Sequence, residues 1–428
     1  MRTVSYGPRA PMIPLEEAQA FVLDAVAPLD PEEVVLDELL GCVAAGVVVA
    51  REPSPRFANS SMDGFAVRAA DTEGGSVRLR IVASVFAGDV ATTPLGEGEA
   101  MRIMTGAPVP EGADSVCMRE EATVDEHTQT VVLHRAVRIG ESVRRVGDDV
   151  AEGQTLLEPG DEIGPALVGV LASQGYEAVF AHPRPRVGVL STGNELAGPS
   201  DALGEGKIRD SNRPSILASL RRSGFESVDL GIVADTRDEI TRGFERGVFE
   251  CDAVVSTGGV SVGDADFVKS VIGELCPDSF RSMQVAIKPG KPFAFGVTPE
   301  GTPLFGLAGN PVSTLVGFEL FVRPTLRKLA GHRQLRRPTL DMVLDCPLPR
   351  TRDGKTHLVH AVCCIHDDGR FHVERVARVA SHLLHTIAHS NALVVVPDGD
   401  GLGTGDTVRA MILDVDQAAD RPGELANG

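Results

Sequence analysis

At 428 residues the chain has room for about three domains or more. It is 43% hydrophobic but only 4% aromatic and has no Trp, so its cores must be built from Val, Leu, Ala and Ile. A formal net charge of −19 argues against the basic face that a nucleic-acid binder needs, while leaving room for Lys and Arg gathered around one anionic ligand.

Residues 1–12 contain Gly7, Pro8 and Pro11 and read as loose chain. The spacing of Ala18, Phe21, Val22 and Ala25 predicts a helix from Pro14 to Ala27. After the Pro28–Pro31 break, a second apolar helix is expected from Val34 to about Val49. Residues 51–150 change character. Short alternating strands (Val77–Val85, Val116–Met118, Thr130–Leu133) sit among glycine-rich turns, which predicts a small β domain inserted after a helical start. Pro165 to Gln174 returns to helix, with Gly175 as its stop. Residues 181–186, Ala-His-Pro-Arg-Pro-Arg, form a stiff linker and a domain boundary.

From Val187 strands and helices alternate: strand Val187–Ser191, helix Pro214–Arg222, strand Ser227–Ile232, helix Thr236–Arg246, then a β-branched apolar strand around Ala253–Val255. That alternation predicts a parallel sheet with helices on both faces and ligands beyond the carboxyl ends of its strands. The last of these strands runs into Ser256-Thr-Gly-Gly-Val-Ser-Val-Gly-Asp264. Gly258, Gly259 and Gly263 permit a tight turn and a close backbone approach, and Asp264 can cap a helix whose apolar face is Phe267, Val268, Val271, Ile272 and Leu275. Strand, glycine loop and helix N-terminus make either an anion site or a plain connecting turn. The spacing fits neither the dinucleotide fingerprint nor the Walker loop. Thr192-Gly193-Asn194-Glu195 and Gly306-Leu-Ala-Gly-Asn310-Pro311 end on the same rim, and Asn310 is a suitable N-cap for a helix from Val312 to about Leu329. Beyond Arg336-Arg337-Pro338, strands are expected at Leu340–Leu344, His357–Cys363, Phe371–Val376, Ala392–Val396 and Thr407–Leu413. The polar segment from Gln417 reads as disordered.

Three side-chain groups carry chemistry. Lys288 and Lys291 lie three apart on a Pro/Gly-stiffened loop, either as solvated cations or as anchors for one phosphate. Glu195, Asp235, Asp264 and Asp266 lie where strands end or helices begin, suited either to Mg²⁺ and anhydride cleavage or to helix capping. Asp63 and Asp149 read from composition as turn residues. His382, His385 and His389 share a helical face, but without an acidic or Cys partner nearby a structural role is the stronger reading. The seven Cys show no CxxC or zinc spacing, there is no secretory h-region, and no apolar run reaches membrane-spanning length. A soluble cytoplasmic protein without nucleic-acid or membrane partners is expected.

Six spaced segments then resemble one family. Phe57-Ala-Asn-Ser-Ser-Met-Asp63-Gly-Phe-Ala-Val-Arg68 is similar to its "NSAMDGYAVR" motif. Arg102 to Asp114, Val189 to Leu196, Ile208 to Asn212, Gly258 to Asp266 and Ile287 to Pro292 follow in the family's order. The chain is identified on these as a member of the molybdopterin molybdenumtransferases, the MoeA type, from about residue 13 to 415. The resemblance implies an α/β plus β multidomain fold. Its parts would be a helical linker domain (13–50 and 152–182), an inserted β domain (51–151), a doubly wound molybdopterin-binding α/β domain (183–331) and a C-terminal β-barrel-like domain (332–416), with 1–12 and 417–428 disordered. It implies a homodimer whose cleft joins the α/β domain of one subunit to the β domain of the other. The implied reaction inserts molybdenum from molybdate into adenylylated molybdopterin, with a divalent cation, taken as Mg²⁺, and release of AMP. Transient partners would be molybdopterin adenylyltransferase and cofactor-accepting enzymes.

By motif, Asp63, Thr105, Asp149, Glu195, Asp235 and Asp266 are the implied catalytic set, with Glu195, Asp235 and Asp266 also on metal. Lys288 and Lys291 are implied anchors, and Gly258, Gly259, Ser261 and Gly263 with Asn310, Pro311 and Ser313 the pterin-phosphate cradle. Three positions depart from the family: Ala308 for Pro, Gln284 for a Lys of some members, and His360 for an Arg, each expected to weaken an anion contact or its positioning. Two other readings remain open, a pathway adenylyltransferase, whose single domain resembles residues 183–331, and a non-catalytic binding or scaffold relative.

Overall fold

The computed structural model describes residues 11–260, 267–376, 382–414 and 417. Ser261, Gly263, Asp264 and Asp266 lie outside the described residues, as do most of the two terminal segments expected to be disordered. Helix α1 (Leu15–Asp24) forms where expected and buries Ala18 and Val22 in the core of the α/β layer, alongside Val187, Val255 and Phe295. Its Phe21 ring meets Phe295 edge-on at 6.1 Å.

The helix expected at Val34–Val49 does not form. That stretch makes β1 (Glu32–Val35), a short 3-10 turn, β2 (Val43–Ala44) and a two-residue strand Val48–Val49. Gly41 sits at φ +79, which no helix interior accepts, and the β-branched valines find partners far along the chain. Strand β9 (Ala178–His182) pairs antiparallel with both β1 and β2, and helix α2 (Pro165–Ser173) covers them. An apolar run cannot reveal a partner more than a hundred residues away.

The inserted β domain is one six-stranded sheet. Its strands are β3 (Gly64–Val67), β4 (Val77–Val85), β5 (Glu99–Ile103), β6 (Ser115–Met118), β7 (Ala122–Asp125) and β8 (Thr130–Leu133), in the order β6-β3-β5-β4-β8-β7. A small ribbon pairs Asn59–Ser60 with Val143–Arg144 beside it.

The α/β domain has the expected alternation. Strands β10 (Arg186–Thr192), β11 (Glu226–Val233), β12 (Ala253–Thr257), β13 (Arg281–Gln284), β14 (Pro292–Val297) and β15 (Pro303–Leu307) stand in the order β11-β10-β12-β15-β14-β13. The first four in this order are mutually parallel, β14 pairs antiparallel with β15, and β13 pairs antiparallel with β14. Helices α3 (Asn212–Arg222), α4 (Arg237–Glu250) and α5 (Phe267–Leu275) cover its faces, with Ile216 and Leu220 in one core cluster and Ile240, Phe244, Val268 and Val271 in the other. Chain direction out of the sheet reverses between β10 and β12, the place where such sheets open a crevice. Helix α6 (Pro311–Gly317) continues through a π-helical stretch (Phe318–Val322) into α7 (Arg323–Leu329).

The C-terminal strands β16 (Thr339–Leu344), β17 (Thr356–Ile365), β18 (Phe371–Arg375), β19 (Ala392–Val396) and β20 (Thr407–Ile412) close on themselves in the cyclic order β17-β18-β16-β20-β19. Closure removes the sheet edges, and Leu344, Ala361, Cys363 and Val394 fill the interior. Ile287–Lys288 of the α/β domain adds to this barrel, pairing in parallel with Thr356–His357. Among the described residues no helix is long and apolar enough to cross a membrane.

Candidate active site

The crevice beyond β10 and β12 is a cavity of about 610 Å³. Glu195, Asp235, Gly258, Gly259, Asn310 and Pro311 all line it, so six of the residues singled out in the sequence converge here. Its floor is backbone that only glycine tolerates. Gly258 (φ +94) would place a Cβ 2.5 Å from the Thr192 carbonyl oxygen, and Gly259 (φ +66) would place one 2.5 Å from the Val268 side chain. The loop therefore lies flush against the end of β10 and α5.

The carboxylates are not consumed by helix caps. Thr236, not Asp235, caps α4, its hydroxyl accepting from the Glu239 N–H at 3.4 Å. Among the described residues Asp235 is tied by its backbone N–H, which donates to Asn194 Oδ1 at 3.3 Å. Asp210, by contrast, is buried and spent: it accepts from the Asn212 and Arg213 N–H groups at 3.1 and 3.2 Å and from Arg213 Nε at 3.0 Å. Sequence reasoning gave no individual role to Thr192, Asp210 or Asn212 and read His382 as structural, yet all four line the cavity. Thr192 Oγ1 and Asn212 Oδ1 are buried atoms without a hydrogen-bond partner among the described residues. A buried polar atom left unpaired costs about 1–3 kcal/mol, so the two are suited to a ligand's donors. The signal for Asn212 and Asp210 was the Ile208–Asn212 motif itself.

Asn310 holds the N-cap position of α6, but its side chain makes no cap bond, contrary to the expected role. The loop is braced instead by Thr314, whose hydroxyl donates to the Ala308 carbonyl at 2.6 Å and lies 3.0 Å from the Asn310 carbonyl. Ala308 thus sits in a loop held from behind, and the loss of rigidity expected from it is offset.

Lys288 and Lys291 do not line this crevice. They line a second cleft of about 580 Å³ with Ser313, Asn310, Arg350, Asp353, His357 and Arg375. The two clefts share Pro292 and Asn310. The second is made where the anchor loop meets the barrel. Arg350 is already committed, donating to Asp353 and Asp398 at 2.9 and 2.8 Å and to the Val396, Pro397 and Lys355 carbonyls. Among the described residues Lys288, Lys291 and Arg375 form no ion pair, so three cations face one opening. Such a set suits a multiply charged oxyanion.

Gln284 lines neither cleft; it pairs with Pro292 and its carbonyl accepts from the Ile13 N–H at 2.9 Å. The cation expected to be lost there is missing from neither opening. His360 is likewise no surface contact. It is 5% exposed on the face of β17 opposite the barrel interior, the face that carries Leu358, with Nδ1 2.9 Å from Ser390 Oγ, and burial pushes its pKa down to about 4. A neutral, enclosed imidazole cannot replace an exposed guanidinium.

Asp63, Thr105 and Asp149 lie in the inserted β domain and line neither cleft of this chain. Asp63 Oδ1 accepts from both the backbone N–H and the hydroxyl of Thr105, each at 2.8 Å. These two bonds hold its carboxyl below the usual range, the backbone bond foremost. Asp149 is exposed, its N–H donating to the Ser54 carbonyl at 2.9 Å. The histidines weighed as a metal group do not gather: His385 and His389 meet edge-on at 6.4 Å, and His382 faces the crevice.

Three family models match in succession. Residues 13–175 match the MoeA N-terminal region (domains I and II), 188–328 a probable molybdopterin binding domain, and 345–413 the MoeA C-terminal region (domain IV). The chain is 35% identical over 399 residues to a molybdopterin molybdenumtransferase of Haemophilus influenzae, covering 93% of this chain and 98% of that one. It is 33% identical to one of Bacillus subtilis, with 96% of each covered. Among solved structures, a molybdopterin biosynthesis MoeA protein of Pyrococcus horikoshii superposes with a TM-score of 0.76 at 28% identity, over 94% of this chain and 100% of that one.

Proposed function

The chain belongs to the MoeA family of molybdopterin molybdenumtransferases, transferases that insert molybdenum into molybdopterin, and on that premise we propose how its residues divide the work. The observation that carries the division is the pair of adjoining clefts sharing Asn310 and Pro292, one lined by Glu195 and Asp235 and the other by Lys288, Lys291 and Arg375, side chains that form no ion pair among the described residues.

The substrate is adenylylated molybdopterin, seated along the Gly258–Gly259 floor, with Thr192 and Asn212 bonding its polar edge. Its phosphate side runs past Asn310, Pro311 and Ser313. Molybdate, the cargo, enters the cationic cleft, where Lys288 and Lys291 neutralise and orient it. Ser261, Gly263 and Asp266 complete the motif as further members of the cradle and carboxylate set.

Glu195 and Asp235 fit Mg²⁺, a hard cation that takes one or two carboxylates plus substrate oxygens. There it supplies charge neutralisation at a phosphoanhydride. The chain's own residues fix the anhydride against the glycine floor and exclude competing counter-ions. Binding energy gathered along the pterin positions the anhydride for water, whose oxygen forms a P–O bond as the bond to AMP breaks, and the two dithiolene thiols replace one oxide of molybdate, which leaves as water. Asp63, Thr105 and Asp149 act in a homodimer, presented to this crevice from the β domain of a second copy. Asp63 stays ionised there because Thr105 donates two hydrogen bonds to it. The enzyme works in the cytoplasm, receiving substrate from the adenylyltransferase and passing cofactor to acceptor enzymes.

The test is AMP release from adenylylated molybdopterin with purified protein, Mg²⁺ and molybdate. Release that requires molybdate and disappears in Glu195→Gln and Asp63→Ala supports the reading. Tight substrate binding without release would sink it in favour of a scaffold. Mixing the two inactive variants tests the shared cleft: restored activity requires heterodimers, and no restoration removes the trans assignment.

A further inference from the structure

We propose that the rim of the C-terminal barrel carries a site for a divalent transition-metal ion of the zinc class, formed by Asp345, His366 and His372, with Asp368 orienting one histidine. Each of the three residues offers one ligand atom, and these atoms lie within 4.8 Å of one another. None of them lines either cleft, so the site is separate from the chemistry assigned above.

Three stretches of backbone bring the ligands together. Asp345 directly follows β16, and its N–H donates to the Val373 carbonyl at 3.0 Å. His372 stands on β18 opposite Val343. His366 opens the turn between β17 and β18; its N–H donates to the Arg370 carbonyl at 3.0 Å, and Gly369, at φ +75, donates back at 2.9 Å. The ligand-bearing backbone is therefore fixed by the barrel before any ion arrives, which keeps the ordering cost of binding small.

The imidazoles lie parallel, 2° apart, with centroids at 3.8 Å. Both rings reach the same carboxylate, and because two stacked rings cannot aim in-plane lone pairs at one ion, one imidazole turns about its side-chain bonds as the ion binds. Asp345 Oδ1 is 2.7 Å from His372 Nδ1 and Oδ2 is 3.5 Å from His366 Nε2. Ligand atoms bound to zinc at about 2.0–2.2 Å stand roughly 3.3–3.5 Å apart in a tetrahedron. The His366 pair already has that spacing, and the His372 pair needs to open by less than about 1 Å as the ion displaces the shared proton. The other nitrogen, His372 Nε2, is 3.2 Å from Asp368 Oδ2. A carboxylate holding the outer N–H of a ligating imidazole is the usual support of a zinc-bound histidine. Two nitrogens and one carboxylate select zinc-class ions over Mg²⁺ or Ca²⁺, which prefer all-oxygen sites. The rings are 17% and 13% exposed and Asp345 32%, leaving a fourth position open to water. An ion here would clip the β17–β18 turn to the end of β16.

The full-length protein is stripped with chelator and titrated with Zn²⁺ in excess Mg²⁺, with Co²⁺ as the spectroscopic probe. The expected result is one Zn²⁺ that excess Mg²⁺ does not displace, a raised Tm, and a Co²⁺ spectrum with nitrogen ligands. His366→Ala and His372→Gln should each abolish that binding with the far-ultraviolet dichroism unchanged, and Asp368→Asn should weaken it about 10–100-fold. If His372→Gln fails to fold, His366→Ala, on the turn, decides alone. Zn²⁺ binding that survives His366→Ala, Zn²⁺ displaced by Mg²⁺, or no Zn²⁺ binding would each overturn the proposal.

Discussion

The two clefts touch at Asn310 but are made in opposite ways. The carboxylate crevice is chiefly a property of one domain: two glycines, a strand end and two helix starts place every described lining residue but His382 within residues 192–311. The cationic cleft exists only where a loop of the α/β domain meets the barrel, with Lys288 and Lys291 contributed by one and Arg375 and His357 by the other. Backbone shape governs the first and domain placement the second. The first should therefore fail when its shape is altered and the second when its charges or its docking are altered.

Gly258→Val attacks the first distinction and should have the largest effect. A side chain at φ +94, 2.5 Å from a carbonyl oxygen, should cost about 3 kcal/mol or more and abolish pterin binding. Urea unfolding and a binding titration check this; an unchanged midpoint would mean the floor is not rigid. Next is acidification, which should act on the barrel side through His360. Its pKa is about 4 when folded against about 6.5 in the free side chain, so the unfolded chain takes up a proton that the folded one refuses. Stability should fall as pH drops from about 6.5 towards 4, by at most about 3 kcal/mol, and His360→Asn should flatten that slope relative to the parent.

Lys291→Ala should raise the KM for molybdate about tenfold, roughly 1.4 kcal/mol, with folding stability unchanged within about 0.5 kcal/mol. Glu195→Gln should instead weaken Mg²⁺ binding, read by direct titration. Equal effects of both variants on both readouts would erase the distinction between the clefts. Smallest is Thr314→Val, which removes the hydroxyl's bond to the Ala308 carbonyl while the residue 314 N–H keeps the Asn310 carbonyl at 2.9 Å, and should cost about 1 kcal/mol. Because Asn310 belongs to both openings, this change should weaken pterin and molybdate binding together, and a one-sided effect would show that the loop serves only one.

The same contrast explains what was legible in the sequence. Alternating strands and helices, Gly258-Gly259 and the carboxylates after strand ends are local signals, and they located the crevice. The lysines could be named, but nothing near them in sequence announced that their partners would be Arg375 and His357. Val34–Val49 failed for the same reason: its apolar residues fit either period, and the deciding partner, Ala178–His182, is distant. His360 and Gln284 were expected to weaken an anion contact, and nothing local in the sequence shows that one is buried and the other lines neither cleft. Asp345, His366 and His372 become neighbours only through the pairing of β16 with β18 and the turn after β17.

The parallel pairing of Ile287–Lys288 with Thr356–His357 has a consequence for recombination between family members. The backbone carrying the anchor lysine is hydrogen-bonded to the barrel's own strand, so the two form one mechanical piece across a domain boundary. A chimera that exchanges the barrel alone would keep both lysines, yet would move the ammonium group of Lys288 with the register of the foreign strand. Affinity for the oxyanion would then be inherited from the donor of the barrel, although that module contributes neither lysine.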